Sequence, residues 1–173
     1  MNIMETLLSA RSILWLLVAV SCAHIAYYYP LLPERVASHF GPNGIADGYM
    51  HKSEFATFYV VLVIIVAAIL TGIGELVRHT PDDLINLPNK EYWLAPERHD
   101  ATIARINAQM ASFGVATMAL LLAIMHLAIV ANLGEARPPQ LSQLFYPFFL
   151  VYIAYVIYWT VEMMRGFSRL PDK

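Results

Sequence analysis

His24, His39, His51 and His126 are the residues whose type and placement promise most chemistry. His24 precedes the end of one apolar run by six residues, or ~9 Å at the α-helical rise. His126 precedes Asn132, at the end of another run, by the same interval. His39 and His51 lie in the polar stretch beyond, with Asp47 and Glu54 close by. Four imidazoles gathered at one mouth make a candidate transition-metal site, since imidazole suits zinc, copper, iron or nickel. An ionisable group inside an apolar span is in any case a functional signal. Against the metal, no HxxxH or HExxH spacing supplies a compact ligand set. The plainer reading leaves His24 and His126 neutral, hydrogen-bonded across helices to serine, tyrosine or backbone.

Two further constellations stand out. His39, Asn43, Asp47 and Lys52 share one loop and fit a peptide, a lipid headgroup or a small ligand. Alternatively they are structural, with Gly44 and Gly48 meeting backbone demands and His39 paired to Asp47 across a hairpin. No Gly-x-Ser-x-Gly elbow accompanies that pair. Glu75/Arg78 and Glu162/Arg165 are both Glu-x-x-Arg, which puts each pair on one helical face. They read as interfacial ion pairs or as a proton or cation site. Each follows a helical hairpin whose first helix carries a histidine, but chance explains so short a repeat.

These groups need elements to position them. Charged residues make up 14% of the chain, against about 25% in soluble domains, so an ordinary globular surface is excluded. Four apolar runs match the roughly 20 residues a membrane span requires. The sequence predicts an all-α integral membrane protein with four transmembrane helices, over 12–30, 54–77, 106–133 and 144–166, in a single domain over 1–173. Valine, isoleucine and leucine come in blocks rather than alternating, which argues against a barrel. Ala19-Val20-Ser21-Cys22 faintly resembles a lipoprotein cleavage box, yet apolar residues continue to Tyr29, so the first run is read as a retained helix. Cys22 is the one cysteine, which rules out an internal disulfide. A net charge of −2 without a basic tail gives no nucleic-acid signature.

Orientation follows from the cations. Arg11, Arg78, Lys90, Arg98, Arg105, Arg165, Arg169 and Lys173 fall on one side of this topology; Arg35, Lys52 and Arg137 fall on the other. The positive-inside rule places both termini and the 78–105 loop in the cytoplasm and the 31–53 loop outside. Tyr27, Tyr28, Tyr29 and Tyr146 then mark the outer interface, and Trp159 the inner.

The outward loop carries turn chemistry. Pro30 and Pro33 end the first helix. Residues 36–40 and 45–49 read as two short strands around Gly41-Pro42-Asn43-Gly44, a strong turn. Ser53 is the expected N-cap of the second helix. The middle loop mixes polar residues with Leu84, Ile85, Leu87, Tyr92, Trp93 and Leu94, which suits the headgroup boundary. Pro96 is placed as the first residue of a helix that runs into span three, with Glu97 and Asp100 in its first turn. Pro138-Pro139 ends that span. The fourth span is crowded with aromatics, among them Phe145, Phe149, Tyr152 and Trp159. They offer a lipid-facing surface, a quinone or lipid groove, or an interface for a partner or second copy. Ala104, Ala108, Ala111 and the Ala116, Ala119, Ala123 set permit close helix approach.

Residues 32–49, Leu-Pro-Glu-Arg-Val-Ala-Ser-His-Phe-Gly-Pro-Asn-Gly-Ile-Ala-Asp-Gly-Tyr, followed by Lys52, resemble a bacterial domain-of-unknown-function family of small integral membrane proteins. The same domain opens the Sdp-type immunity proteins, to which the similarity extends over the first part. Residues 86–98, Asn-Leu-Pro-Asn-Lys-Glu-Tyr-Trp-Leu-Ala-Pro-Glu-Arg, look like a second signature of the family's small members. The resemblance implies a multi-pass protein of the bacterial cell membrane. Immunity proteins protect a producing cell from a membrane-active peptide and relay its presence inward. The expectation is therefore a non-catalytic sensor, immunity-like factor or accessory subunit that recognises something at the outer face. The rivals are a metal- or ligand-dependent membrane enzyme using the outer histidines, and a structural subunit packed through span four.

Overall fold

A computed structural model describes residues 3–136, 140, 141, 143 and 145–170, with side chains from residue 10. Its helices are α1 (Ile3–Tyr28), α2 (Lys52–His79), the single turn α3 (Lys90–Trp93), α4 (His99–Leu133) and α5 (Phe145–Ser168). Strands β1 (Arg35–Phe40) and β2 (Ala46–His51) form an antiparallel pair between α1 and α2. All the long helices are long and apolar enough to cross a membrane. Lipid offers backbone groups no partner, and helices satisfy them internally. The protein is thus a four-span helical membrane protein with a small two-stranded cap.

Three helices make the core. α1, α2 and α4 pack against one another, burying Leu14, Val18 and Ile25 against Tyr59, Val63, Ala67, Met118, Met125 and Ile129. Gly114 marks the tightest approach: a Cβ there would lie 3.3 Å from Leu70 and 3.6 Å from Leu14. Of the alanine rows, Ala111 is buried in this contact region and Ala119 is exposed. α5 stands apart and packs chiefly on α4. Two hydrogen bonds join it to α4: Tyr152 Oη with Thr117 Oγ1 at 2.8 Å and Trp159 Nε1 donating to the Gln109 carbonyl at 3.1 Å. Pro147 falls in the first turn of α5, where a missing N–H costs nothing.

The middle loop departs from its expected form. Leu87 and Trp93 pack on Ile106 and Phe167 rather than only facing headgroups, although Leu84 is exposed. Asn89 adopts a left-handed conformation at φ 53° and donates to the carbonyls of Phe167 and Ser168 at 3.1 and 3.0 Å. Trp93 Nε1 donates to the Phe167 carbonyl at 2.7 Å. The loop therefore locks the end of α5. Trp93→Phe keeps the ring and removes the donor, so it should cost about 1 kcal/mol; thermal unfolding in detergent measures this, and the same melting temperature as wild type would contradict the lock.

Two helix starts also differ from expectation. α4 begins at His99, not Pro96, because Ala95 first accepts the N–H groups of Arg98 and His99 in a separate turn. Asp100 remains in its first turn, and Glu97 does not. α2 is capped by His51, not Ser53. The His51 ring accepts the Ser53 N–H while Glu54 reaches back to the His51 N–H at 3.0 Å, a complete capping box. Pro138-Pro139, Arg137, Leu144 and Lys173, used above for helix ends and charge bias, lie outside the described residues.

Candidate functional site

The hairpin is built from its turn outward. Gly44 sits at φ +75°, a conformation that favours glycine. Its N–H donates to the Gly41 carbonyl at 2.8 Å, and Asn43 Oδ1 accepts the Ile45 N–H at 3.0 Å. Asn43 thus serves the turn. Across the strands His39 faces Gly48, where a Cβ would lie only 2.8 Å from the Cβ of His39. A bulge around this register step brings His39 Nδ1 against Asp47 Oδ1. Both side chains are largely exposed, at 74% and 54%. The pair is accessible and sits on a braced turn.

Lys52 has a different role. Its Nζ meets Glu34 Oε1 at 2.6 Å, and Glu34 Oε2 meets His51 Nε2 at 3.1 Å. The Lys52 N–H also donates to the Glu34 carbonyl at 3.0 Å. These contacts tie the start of β1 to the start of α2. The hydrogen bond from Lys52 holds the Glu34 carboxyl below the usual carboxylate range, aided by the charge of Lys52. The stabilisation is therefore present above the unfolded carboxylate value and is lost as pH falls through the lowered one. Acidification should lower the protection factor of the Lys52 amide, its exchange measured against the intrinsic rate at each pH, in wild type but not in Glu34→Gln. Equal acid responses in the two proteins would contradict this.

Asn132 fixes the hairpin to the bundle. It is buried, at 3% exposure. Its Oδ1 accepts the Ala37 N–H at 2.7 Å, and its Nδ2 donates to the Ala37 carbonyl at 2.9 Å and the Ala128 carbonyl at 2.8 Å. One side chain near the end of α4 therefore pairs with β1 as a neighbouring strand would. Val36 and Ala37 are fully buried beneath. The hairpin tip is held from the other side. Leu141 N–H donates to the Gly44 carbonyl at 2.8 Å, and Tyr146 Oη donates to the Pro42 carbonyl at 2.8 Å.

A groove of about 480 Å³ remains between the tip and the first turn of α5. Phe40, Pro42, Leu141, Phe145 and Tyr146 line it together with His39. A second cavity of about 300 Å³ shares His39, Phe40, Leu141 and Phe145 and reaches down to Phe58, Met125 and Ala128. The site is apolar below and polar at its rim.

The four histidines do not meet. His39 is held by Asp47, and His51 by the α2 cap and Glu34. His24 and His126 do meet, with Nε2 and Nδ1 3.0 Å apart between α1 and α4. Tyr59 Oη lies 3.3 Å from the other nitrogen of His24. Among the described residues no three histidine, cysteine, aspartate or glutamate side chains gather as a metal set. At the opposite end Glu75 pairs with Arg78 at 4.0 Å and with His79 at 3.5 Å, and Glu162 pairs with Arg165 at 3.3 Å. All are about half exposed or more, so the two Glu–Arg contacts are local ion pairs worth roughly 0–1 kcal/mol each.

Residues 16–65 match the family model of a domain of unknown function, DUF1648. The matched segment takes in the second half of α1, the whole hairpin and the first half of α2. It contains His24, His39, Asp47, Lys52 and Tyr59, whereas His126, which pairs with His24, and Asn132, which holds Ala37, lie beyond it. The 86–98 signature also lies beyond it. No curated protein and no solved structure matches the chain.

Proposed function

We propose that this protein is a non-catalytic receptor or immunity-like factor of the bacterial cell membrane whose recognition face is the hairpin. The observation that carries this reading is the groove between the hairpin tip and α5, apolar inside and rimmed by the exposed His39–Asp47 pair. That mixture suits an amphipathic ligand arriving at the membrane surface, such as a membrane-active peptide. Rigid sites are better preorganised than loose loops, and Asn132, Glu34 and Tyr146 brace this one. The hairpin faces outward in this reading, supported by the bias of eight lysines and arginines to three.

Two measurements test it. A membrane-impermeant maleimide applied to intact cells labels Asn43→Cys, in a Cys22→Ser background, if the hairpin is outside. Deletion of the gene sensitises cells to a membrane-active peptide; wild type restores resistance, and the groove variant Leu141→Arg inserts normally without restoring it. An unchanged killing curve on deletion overturns the proposal.

A further inference from the structure

A separate site lies deeper in the bundle. His24 and His126 come from different spans, and each ring is half-buried. Their rings are 5.3 Å apart at an interplanar angle of 60°, joined by the 3.0 Å contact between His24 Nε2 and His126 Nδ1. Tyr28 packs edge-on to His24 at 5.0 Å and tilted to His126 at 5.9 Å. Tyr59, fully buried in α2, completes the surroundings. The titratable groups facing the pair are therefore Tyr28 from α1 and Tyr59 from α2, with Cys22 beside Tyr59. Among the described residues no carboxylate, lysine or arginine forms an ion pair with either ring.

The hydrogen count follows from this geometry. Two neutral imidazoles carry two N–H hydrogens over four ring nitrogens. One hydrogen must occupy the bridge. The other has two places. On His126 Nε2, it leaves His24 Nδ1 to accept from the Tyr59 hydroxyl. On His24 Nδ1, it donates to the Tyr59 oxygen instead. One added proton fills both outer positions and leaves the bridge intact. A second would set N–H against N–H across 3.0 Å, and two imidazolium charges would then repel in a low-dielectric span.

We propose that His24 and His126 form a one-proton site inside the membrane, sharing a single excess proton across their bridge. A proton taken up at His24 Nδ1 beside Tyr59 is balanced when the bridging hydrogen shifts from His24 to His126 and a different proton leaves His126 Nε2. Both rings then stand in their other tautomer, and returning them through the same bonds carries a proton back. The pair therefore holds and shares one proton and drives no net passage. The site requires neither a metal nor the hairpin groove, so it stands independently of the receptor reading.

The test uses the full chain in lipid nanodiscs with ¹⁵N-labelled histidine, each ring assigned by single substitution. The expected result is that the His24 and His126 nitrogens move together with one midpoint as pH falls from about 8 to 5, the range where histidine titrates. Together they take up one proton, not two. His126→Gln removes the common midpoint and leaves His24 alone. Tyr59→Phe keeps the core ring and the bridge but shifts the His24 Nδ1 signal, which keeps the test valid if His126→Gln does not fold. Two independent midpoints with two protons bound, or no proton bound over this range, overturns the proposal.

Discussion

Asn132→Leu should release the hairpin from the membrane bundle. The substitution keeps side-chain size and removes every polar group of the clamp. It strands the Ala37 N–H and carbonyl, both now satisfied by Asn132 at 2.7 and 2.9 Å. Ala37 is fully buried, so water does not replace the lost partner. Each stranded group costs about 1–3 kcal/mol, and two together about 2–6 kcal/mol. Hydrogen exchange at the Ala37 amide should rise well above wild type while the amides of α1, α2 and α4 keep their protection. Asn132→Asp turns a carboxylate oxygen toward the Ala37 and Ala128 carbonyls at a buried position, so its effect should be at least as large. An unchanged Ala37 amide in Asn132→Leu would show that β2 and the packing of Val36 hold the hairpin unaided.

The clamp also shows where sequence reasoning stops. The four spans were legible because lipid imposes one requirement, length of apolar helix, and composition reports it directly. The hairpin was legible because Gly41-Pro42-Asn43-Gly44 is local chemistry. So was the alternative that His39 and Asp47 pair to hold it, since the turn brings them together. Asn132 carried no such signal. Its partner lies 95 residues away, and no local pattern says that an asparagine near a helix end pairs with a strand. His51 illustrates a different miss. Glu54, three residues on, is the mark of a capping box, but histidine is a rare cap and its ring equally suits a ligand role. Glu34 joins both His51 and Lys52, partners too far along the chain for a local pattern to signal. The histidine pair was half legible. Equal distances from the span ends put His24 and His126 at one depth, and only packing decided that those two meet while the hairpin histidines stay with Asp47 and Glu34.

Phe167→Ala should detach α5. Phe167 is fully buried, and it is the buried residue of that helix. It lies 5.5 Å from the Trp93 ring, with the Arg105 guanidinium 4.6 Å over its own ring. Its carbonyl takes the donors of Trp93 and Asn89. Truncating a buried phenylalanine costs about 3–5 kcal/mol. Little along the rest of α5 offsets that loss. Lipid tails are as apolar as leucine, so the exposed aromatics gain no hydrophobic energy by staying on α4. The mid-helix hydrogen bonds from Tyr152 and Trp159 remain, each worth about 1 kcal/mol. The distance distribution between spin labels at Ser112 and Thr160 should broaden in Phe167→Ala and stay narrow in Phe167→Leu. If Phe167→Ala matches wild type, the mid-helix contacts suffice and the end lock is dispensable. The consequence reaches the other end of the helix. Phe145 and Tyr146 form one wall of the groove, so a helix freed at Phe167 loosens that groove a full span away.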